Sequence, residues 1–460
     1  MCLLASACAN QQYQAKRLNS AQVSNKLSNK DATSTDFKVY LIKQGYAENK
    51  LPLTEWGVDE LTLCALYFNP KLDVAKAQLG LANVAINTAN LKQSPTLGAR
   101  AARGNQANGD KSPWAFGLEV EIPIETANKR QIKVEEAQHL QEVARIDVAA
   151  VAWQLRSQIA RDLLRHHENS AQQTQAENAL DVQNNLVKLL EKRVQLGAAS
   201  NTELNAAKLL QQKAQFSLTS EQAKTAEIHA ALANDVGLTN EKFKQLKLKP
   251  LDIEFALANT PNTEHLQENA LLNRLDIRRS LAKYAAAESK IKLEIAKQTP
   301  DISLSPGIAF EFGNSIWSLG FSTLLNLLNK NPTLILEATQ LREIEGAQFE
   351  ALQADVIADV SQANAAYAAS QLNVAQVKQQ LAAQQHYTQK LQHQLDAGLI
   401  DRLDLTQNKL STTLIEQQIV NAQFQQLNAL LMLENSVQMP LSASNIINDK
   451  TIQIQSVTAQ

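Results

Sequence analysis

Glycine and proline are scarce in this chain, 14 and 11 among 460 residues. A chain with so few turn residues reverses direction rarely, and its abundance of Ala, Gln and Leu favours long helices. Aromatic residues make up 5%. The length suggests roughly three ordinary domains, but this composition argues against ordinary globules. Charge of one sign is also missing: formal net charge is −2 with no basic tract, so the footprint of a nucleic-acid-binding protein is lacking. No run of 18 apolar residues occurs, which excludes a membrane-spanning helix. It leaves open a membrane β-barrel, whose strands carry a much weaker signal. Phosphate-binding glycine loops, nucleophile elbows and paired catalytic sets are absent too, so the chain is read as a non-enzyme without cofactor. The three cysteines, Cys2, Cys8 and Cys64, fit neither a zinc site nor a disulfide framework. Leu3-Leu4-Ala5-Ser6-Ala7-Cys8 resembles the end of a bacterial lipoprotein signal, with Cys8 as the acylated residue, although the segment before it is short and lacks a basic start.

What is present is a long statement made twice. Asn69-Pro70-Lys71-Leu72-Asp73 answers to Asn273-Arg274-Leu275-Asp276, and Gln93-Ser94-Pro95 to Gln298-Thr299-Pro300. Trp114-Ala115-Phe116-Gly117 answers to Trp317-Ser318-Leu319-Gly320, and Gly197 with Glu203-Leu204 to Gly398 with Asp404-Leu405. The offsets are 203, 205, 203 and 201, too long for a solenoid. We divide the chain into a signal-like segment 1–8, an extended N-terminal arm 9–53 and a first repeat 54–246. A linker 247–262, a second repeat 263–440 and a polar tail 441–460 follow.

Each repeat changes period once. Phe116, Leu118, Val120, Ile122 and Ile124 alternate with Gly117, Glu119, Glu121 and Pro123, the pattern of a strand with one oily and one wet face. Strands are expected at about 95–103 and 113–124, then at 300–312 and 315–325, the last two joined by a Gly313-Asn314 turn. The wet face carries Glu119, Glu121, Asp301 and Glu311. After each hairpin comes a helix of extreme length, 127–196 and 333–397, or about 100 Å at about 1.5 Å per residue. Gly197 and Gly398 end these helices, and shorter ones return over 202–235 and 403–437. Polar helices this long persist only by packing sideways as coiled coils. Strands of ten to twelve residues match a tilted bilayer crossing. Four cannot close a barrel, so several chains must pool them.

In this order and duplication the chain resembles the TolC family of outer-membrane efflux proteins over roughly residues 54–440. The resemblance rests on the Asn69-Pro70 helix entry, the Pro95 and Pro300 strand starts and Ile122-Pro123-Ile124 leading into Lys129-Arg130. It rests also on two tips, Leu196-Gly197-Ala198-Ala199-Ser200 and Ala397-Gly398-Leu399-Ile400-Asp401. It implies a mostly α fold with a membrane β part: a homotrimer whose twelve strands form one outer-membrane β-barrel above a coiled-coil periplasmic tunnel. It implies tips at Gly197, Ala198, Ala199, Ser200, Gly398, Leu399, Ile400 and Asp401 that dock a periplasmic adaptor, itself linked to an inner-membrane pump of RND type. It also implies acidic residues at the periplasmic aperture, matched here by Asp404 with Glu203 as its repeat-related counterpart. The family's second acidic position, one turn after Asp404, is Gln407 here.

Both acids have a plainer reading as helix caps, Glu203 with Ser200 and Asp404 with Asp401. The tips read equally as plain helix–turn–helix corners. His166-His167 and the pair His386 and His393 read as solvated helix surface rather than metal ligands. Ile124-Glu125-Thr126-Ala127-Asn128-Lys129-Arg130 is similar to the metal-efflux branch of the family, a weak hint of substrate. The alternatives to an efflux channel are the outer channel of a type I protein-secretion system, identical in architecture, and a soluble coiled-coil scaffold.

Overall fold

The computed structural model describes residues 13–104, 112–258, 263–311, 313–323 and 330–441. Cys8, the 1–8 segment, the hairpin loop 105–111, Phe312, Leu325 and nearly all of the polar tail lie outside them. In chain order the elements begin with α1 (Ser20–Ser28), α2 (Thr35–Lys43), α3 (Val58–Phe68) and α4 (Pro70–Ala89). A hairpin of β1 (Thr96–Arg103) and β2 (Trp114–Ile124) leads into α5 (Lys129–Gln195) and α6 (Asn201–Val236). Three short helices follow, α7 (Asn240–Phe243), α8 (Ile253–Ala258) and α9 (Leu266–Asn273). The second half repeats the order: α10 (Leu275–Ala296), β3 (Ile302–Glu311), β4 (Asn314–Thr323), α11 (Pro332–Asp396) and α12 (Arg402–Val437).

At 67 and 65 residues, α5 and α11 each span about 100 Å. Neither has a strong apolar stripe: α5 is covered on several sides, whereas α11 is mostly exposed and buries Ala338, Val356, Val360, Tyr367 and Val374. α5 packs along α3, α4, α6, α10 and α12, and α11 along α10 and α12. Among the described residues no helix is long and apolar enough to cross a membrane.

All four strands join one antiparallel sheet in the order β1-β2-β3-β4. Asn314 pairs with Glu311, so it lies in the second hairpin's ladder and not in a Gly313-Asn314 turn. Asn314 already belongs to β4, and Gly313 has the positive φ, +90°, that a tight turn requires.

The 9–53 arm is not extended throughout. It forms α1 and α2, capped by Asn19 and Ser34, and Phe37 and Leu41 from α2 enter the main core. Phe37 stacks among Tyr40, Trp56, Tyr67 and Phe68. A nine-residue helix carries too few turns to show periodicity, so tertiary burial decides it.

That core gathers where α3 breaks into α4. Asn69 caps α4 by accepting from the Lys71 amide at 2.9 Å, and Pro70 takes the first helical position, where its missing N–H costs nothing. The Asn69 amide also donates to the Asp235 carbonyl at 2.7 Å, fastening the break to the end of α6. Arg274 plays the equivalent part in the second half, donating to the Ser436 carbonyl at 2.6 Å at the end of α12. A smaller core of Leu266, Ile277, Val356, Val360, Leu433 and Val437 lies beside it.

Candidate functional site

Two regions answer to the sequence expectations, the paired helix tips at one end and the sheet at the other. Each tip starts with a glycine in the left-handed region, Gly197 and Gly398, both at φ +73°. Glycine adopts this conformation without a Cβ penalty, so both long helices end there. Each return helix opens on a reciprocal cap. The Ser200 hydroxyl accepts from the Glu203 amide at 3.1 Å while the Glu203 carboxylate accepts from the Ser200 amide at 3.0 Å. Asp401 accepts from the amides of Leu403 and Asp404, and the Asp404 carboxylate accepts from the Asp401 amide at 3.3 Å. Both expected aperture acids thus act as caps, with their carboxylates exposed at the end of the molecule.

The structure brings the two tips together, which the sequence does not reveal. The Arg193 guanidinium, in the last turn of α5, donates to the Asp401 carboxylate. Leu403 packs against the cluster of Leu186, Val187, Leu190, Leu204 and Ala207 from the first tip hairpin. Burial is the largest single influence on Asp401 and opposes its charge, but Arg193 and the amides of Asp404 and Leu403 together outweigh it and hold this carboxyl below the usual range. Leu196 is 83% exposed and Leu399 74% exposed, so each tip presents an apolar side chain to solvent. Of the other expected tip residues, Ala198 and Ser200 are exposed and Ala199 and Ile400 half-buried.

At the far end, the register sorts side chains onto two faces. One face runs without a charge from Leu97 and Ala99 through Phe116, Leu118 and Val120, then Leu304, Ile308 and Phe310, to Trp317, Leu319 and Phe321. Most of these large side chains are exposed, Trp317 to 79%. Arg103 sits at the outer end of this face with its guanidinium over the Trp114 ring, 5.5 Å from the centroid. The opposite face carries Arg100, Glu119, Glu121 and Glu311 among Gly98, Gly117, Gly307, Ser318 and Gly320. The small residues make room: a Cβ built on Gly307 would lie 2.9 Å from the Ser318 hydroxyl. The sheet's edges, β1 and β4, have no further strand beside them among the described residues.

Asp301 departs from expectation. It precedes β3 instead of lining the polar face, and its carboxylate accepts from the Lys129 ammonium at 2.7 Å and the Thr126 amide at 2.8 Å. Lys129 also donates to the Thr299 carbonyl at 2.6 Å. Ala127 and Asn128 both adopt positive φ here, +52° and +56°. Asp301 therefore fastens the turn between sheet and long helix. A run that alternates perfectly up to a strand end gives no sign that its first member pairs elsewhere.

The histidines divide. His386 and His393 are exposed. His166 instead packs 5.1 Å from His229 and 5.4 Å from His167, and burial lowers the pKa of all three. Among the described residues no three His, Cys, Asp or Glu side chains are placed to hold a metal ion.

No protein-family model and no curated protein matches the sequence. Solved structures do. The chain superposes on the outer membrane protein VceC from Vibrio cholerae with a TM-score of 0.66 at 19% identity, covering 84% of this chain and 96% of that one. For the outer membrane channel CmeC of Campylobacter jejuni the TM-score is 0.63 at 15% identity, covering 83% and 85%. For the open state of the outer membrane channel MtrE of Neisseria gonorrhoeae it is 0.62 at 17% identity, covering 84% and 89%. The fold is that of these outer-membrane channels.

Proposed function

We propose that this chain is one subunit of a homotrimeric bacterial outer-membrane efflux channel of the TolC type, built from two structural repeats. The observation that carries the reading is the sheet: an open, four-stranded ribbon with one apolar face, charged only at its end by Arg103, and two edges left unpaired among the described residues. In lipid every backbone group needs an internal partner, so such a ribbon is stable only when closed by others. Three copies of a four-stranded sheet give twelve strands, enough for a barrel with the apolar face toward lipid and Glu119, Glu121 and Glu311 toward the lumen. The fold likeness to outer-membrane channels supports the same reading.

The long helices continue the conduit into the periplasm, and the tips receive an adaptor that couples it to an inner-membrane pump. Asp404, one per chain, narrows the periplasmic mouth, and Leu196 and Leu399 present the apolar contact. Acylation of Cys8 belongs to the same reading, and incorporation of labelled palmitate tests it. The central experiment is purification from outer membranes in detergent followed by reconstitution in planar bilayers. A trimer giving steady unitary currents is expected. A protein that fractionates as soluble without detergent would sink the proposal and favour a coiled-coil scaffold. Export assays for drugs, metal ions and proteases then separate efflux from protein secretion.

A further inference from the structure

Two acids lie beneath the α3–α4 break. Asp162 of α5 and Asp235 of α6 are 3% and 6% exposed and face each other side chain to side chain. Two carboxyl groups so placed can bond to each other only when one of them holds a proton. Asp162 is well supplied otherwise, since Gln158 donates to one oxygen at 2.8 Å and Arg165 to the other at 3.0 Å. Asp235 is not. Its Oδ2 takes no bond from any amide, hydroxyl or cation.

Among the described residues Arg165 pairs with Asp162 at 3.0 Å, but no ion pair reaches Asp235. Lys71 on α4 and Arg161 on α5 favour a charged Asp235, yet burial and the neighbouring Asp162 prevail and push its carboxyl up to about 7. Arg165 is engaged with Asp162, and Lys242 of α7 with Asp31 at 2.7 Å. Lys30, ahead of α2, donates to the Phe68 carbonyl and faces Asp73 of α4. Further along the α5–α6 seam His166 and His229 are held toward their neutral forms by burial.

What rests on this pair is the root of α4. Asn69 is fastened to the Asp235 carbonyl, and Gly237 fits against Phe68 and Asn69 so closely that a Cβ would meet their backbone at 2.8 Å. The second half builds the equivalent joint on a different group, Arg274, whose guanidinium also pairs with Asp276 at 2.7 Å. There Ser436, likewise two residues before a left-handed cap (Gln438, φ +51°), takes the place of Asp235. Its hydroxyl donates to the Leu433 carbonyl at 2.8 Å, and Ala363 lines the same groove.

We propose that the Asp162–Asp235 pair is a proton-operated lock: one shared proton holds the α3–α4 break on the end of α6, and its loss loosens that joint. Unfolded, both acids release their protons near pH 4, whereas the folded pair keeps one up to about 7. The folded state therefore holds the extra proton between those limits. The lock strengthens as pH falls from about 7 toward 4, gains nothing further below, and is fully released above 7.

This inference is independent of the channel reading, and so is its test: hydrogen exchange on the full-length protein in detergent, corrected for intrinsic rates, between pH 5.5 and 8.5. Amides at 68–75 and 233–238 are expected to lose about tenfold in protection as pH rises through 7, one pKa unit corresponding to a factor of ten. Amides at 273–279 and 434–439 should stay flat. Asp235→Asn keeps the shape and a hydrogen bond to Asp162 without a titrating proton, so its protection should stay high at every pH. Asp162→Asn provides the same comparison if that variant fails to fold. A neutral variant that follows the wild-type curve, or parallel change in both halves, overturns the proposal.

Discussion

Arg193 and Asp401 meet across 208 residues of sequence, which is why neither is marked by any local pattern. Their side chains are partly exposed, so the pair is worth under about 1 kcal/mol to folding. Its effect belongs to the relative position of the two tips. Because the folded pKa of Asp401 is depressed, the contact is intact above the ordinary carboxylate range and is lost as pH falls through the lowered value. Arg193→Ala should therefore leave the melting temperature within a degree or two, yet raise the unitary current of the proposed channel at pH 7 to the level expected of the wild type in acid. Planar-bilayer recording checks both halves of the statement. Asp404 needs a gentler change, because it also caps α12. Asp404→Asn keeps an acceptor for the Asp401 amide and removes only the charge. Block by divalent cations should weaken severalfold, since three crowded carboxylates would bind such ions, and unchanged block would leave Asp404 as a cap alone. The reciprocal caps themselves were readable in Ser200-Asn201-Thr202-Glu203 and Asp401-Arg402-Leu403-Asp404, since both partners lie within one turn.

The helices were legible in proportion to their length. α5, α6, α11 and α12 start and stop within two residues of where Gly197, Gly398 and the capping residues place them. The short α1, α2, α7, α8 and α9 were not, because what secures several of them is Phe37, Phe243 and Leu266 entering cores built from distant segments. Glycines with similar backbone angles are not equivalent, and this yields a sharp contrast. At Gly398 nothing lies within 4 Å of an added Cβ, so Gly398→Ala costs about 1 kcal/mol for the positive φ alone. At Gly237 the same φ cost adds to a backbone clash that no side chain can relieve. Gly237→Ala should lose at least twice as much, about 2–4 kcal/mol as for an overpacked core, and chemical denaturation in detergent ranks the two. Asp162 and Asp235 belong with the illegible features, because two acids 73 positions apart, each on a polar helix, look like surface until the helices pack.

For the whole molecule the alternating pattern of the strands was decisive, since a period of two sorts side chains onto faces without any tertiary information. It went wrong at Asp301, where a chain reversal recruits the first member of the series to Lys129. Which face meets lipid is a statement about the assembly, and a matched pair of substitutions tests it. Leu319→Lys puts a charge at the middle of the apolar face and should cost about 2–4 kcal/mol near a bilayer midplane. Ser318→Lys, one residue away on the polar face, should leave trimer yield close to wild type and shift ion selectivity toward anions. Equal losses from both would contradict the assignment of faces. The unpaired edges of β1 and β4 bear on kinetics as well. A lone chain presents two strand edges and an uncovered apolar face at once, the combination from which aggregates grow. In the proposed trimer the ribbon matures only by meeting its copies, so channel formation should rise more steeply than linearly with chain concentration, and scarce chains should be lost to degradation before they close.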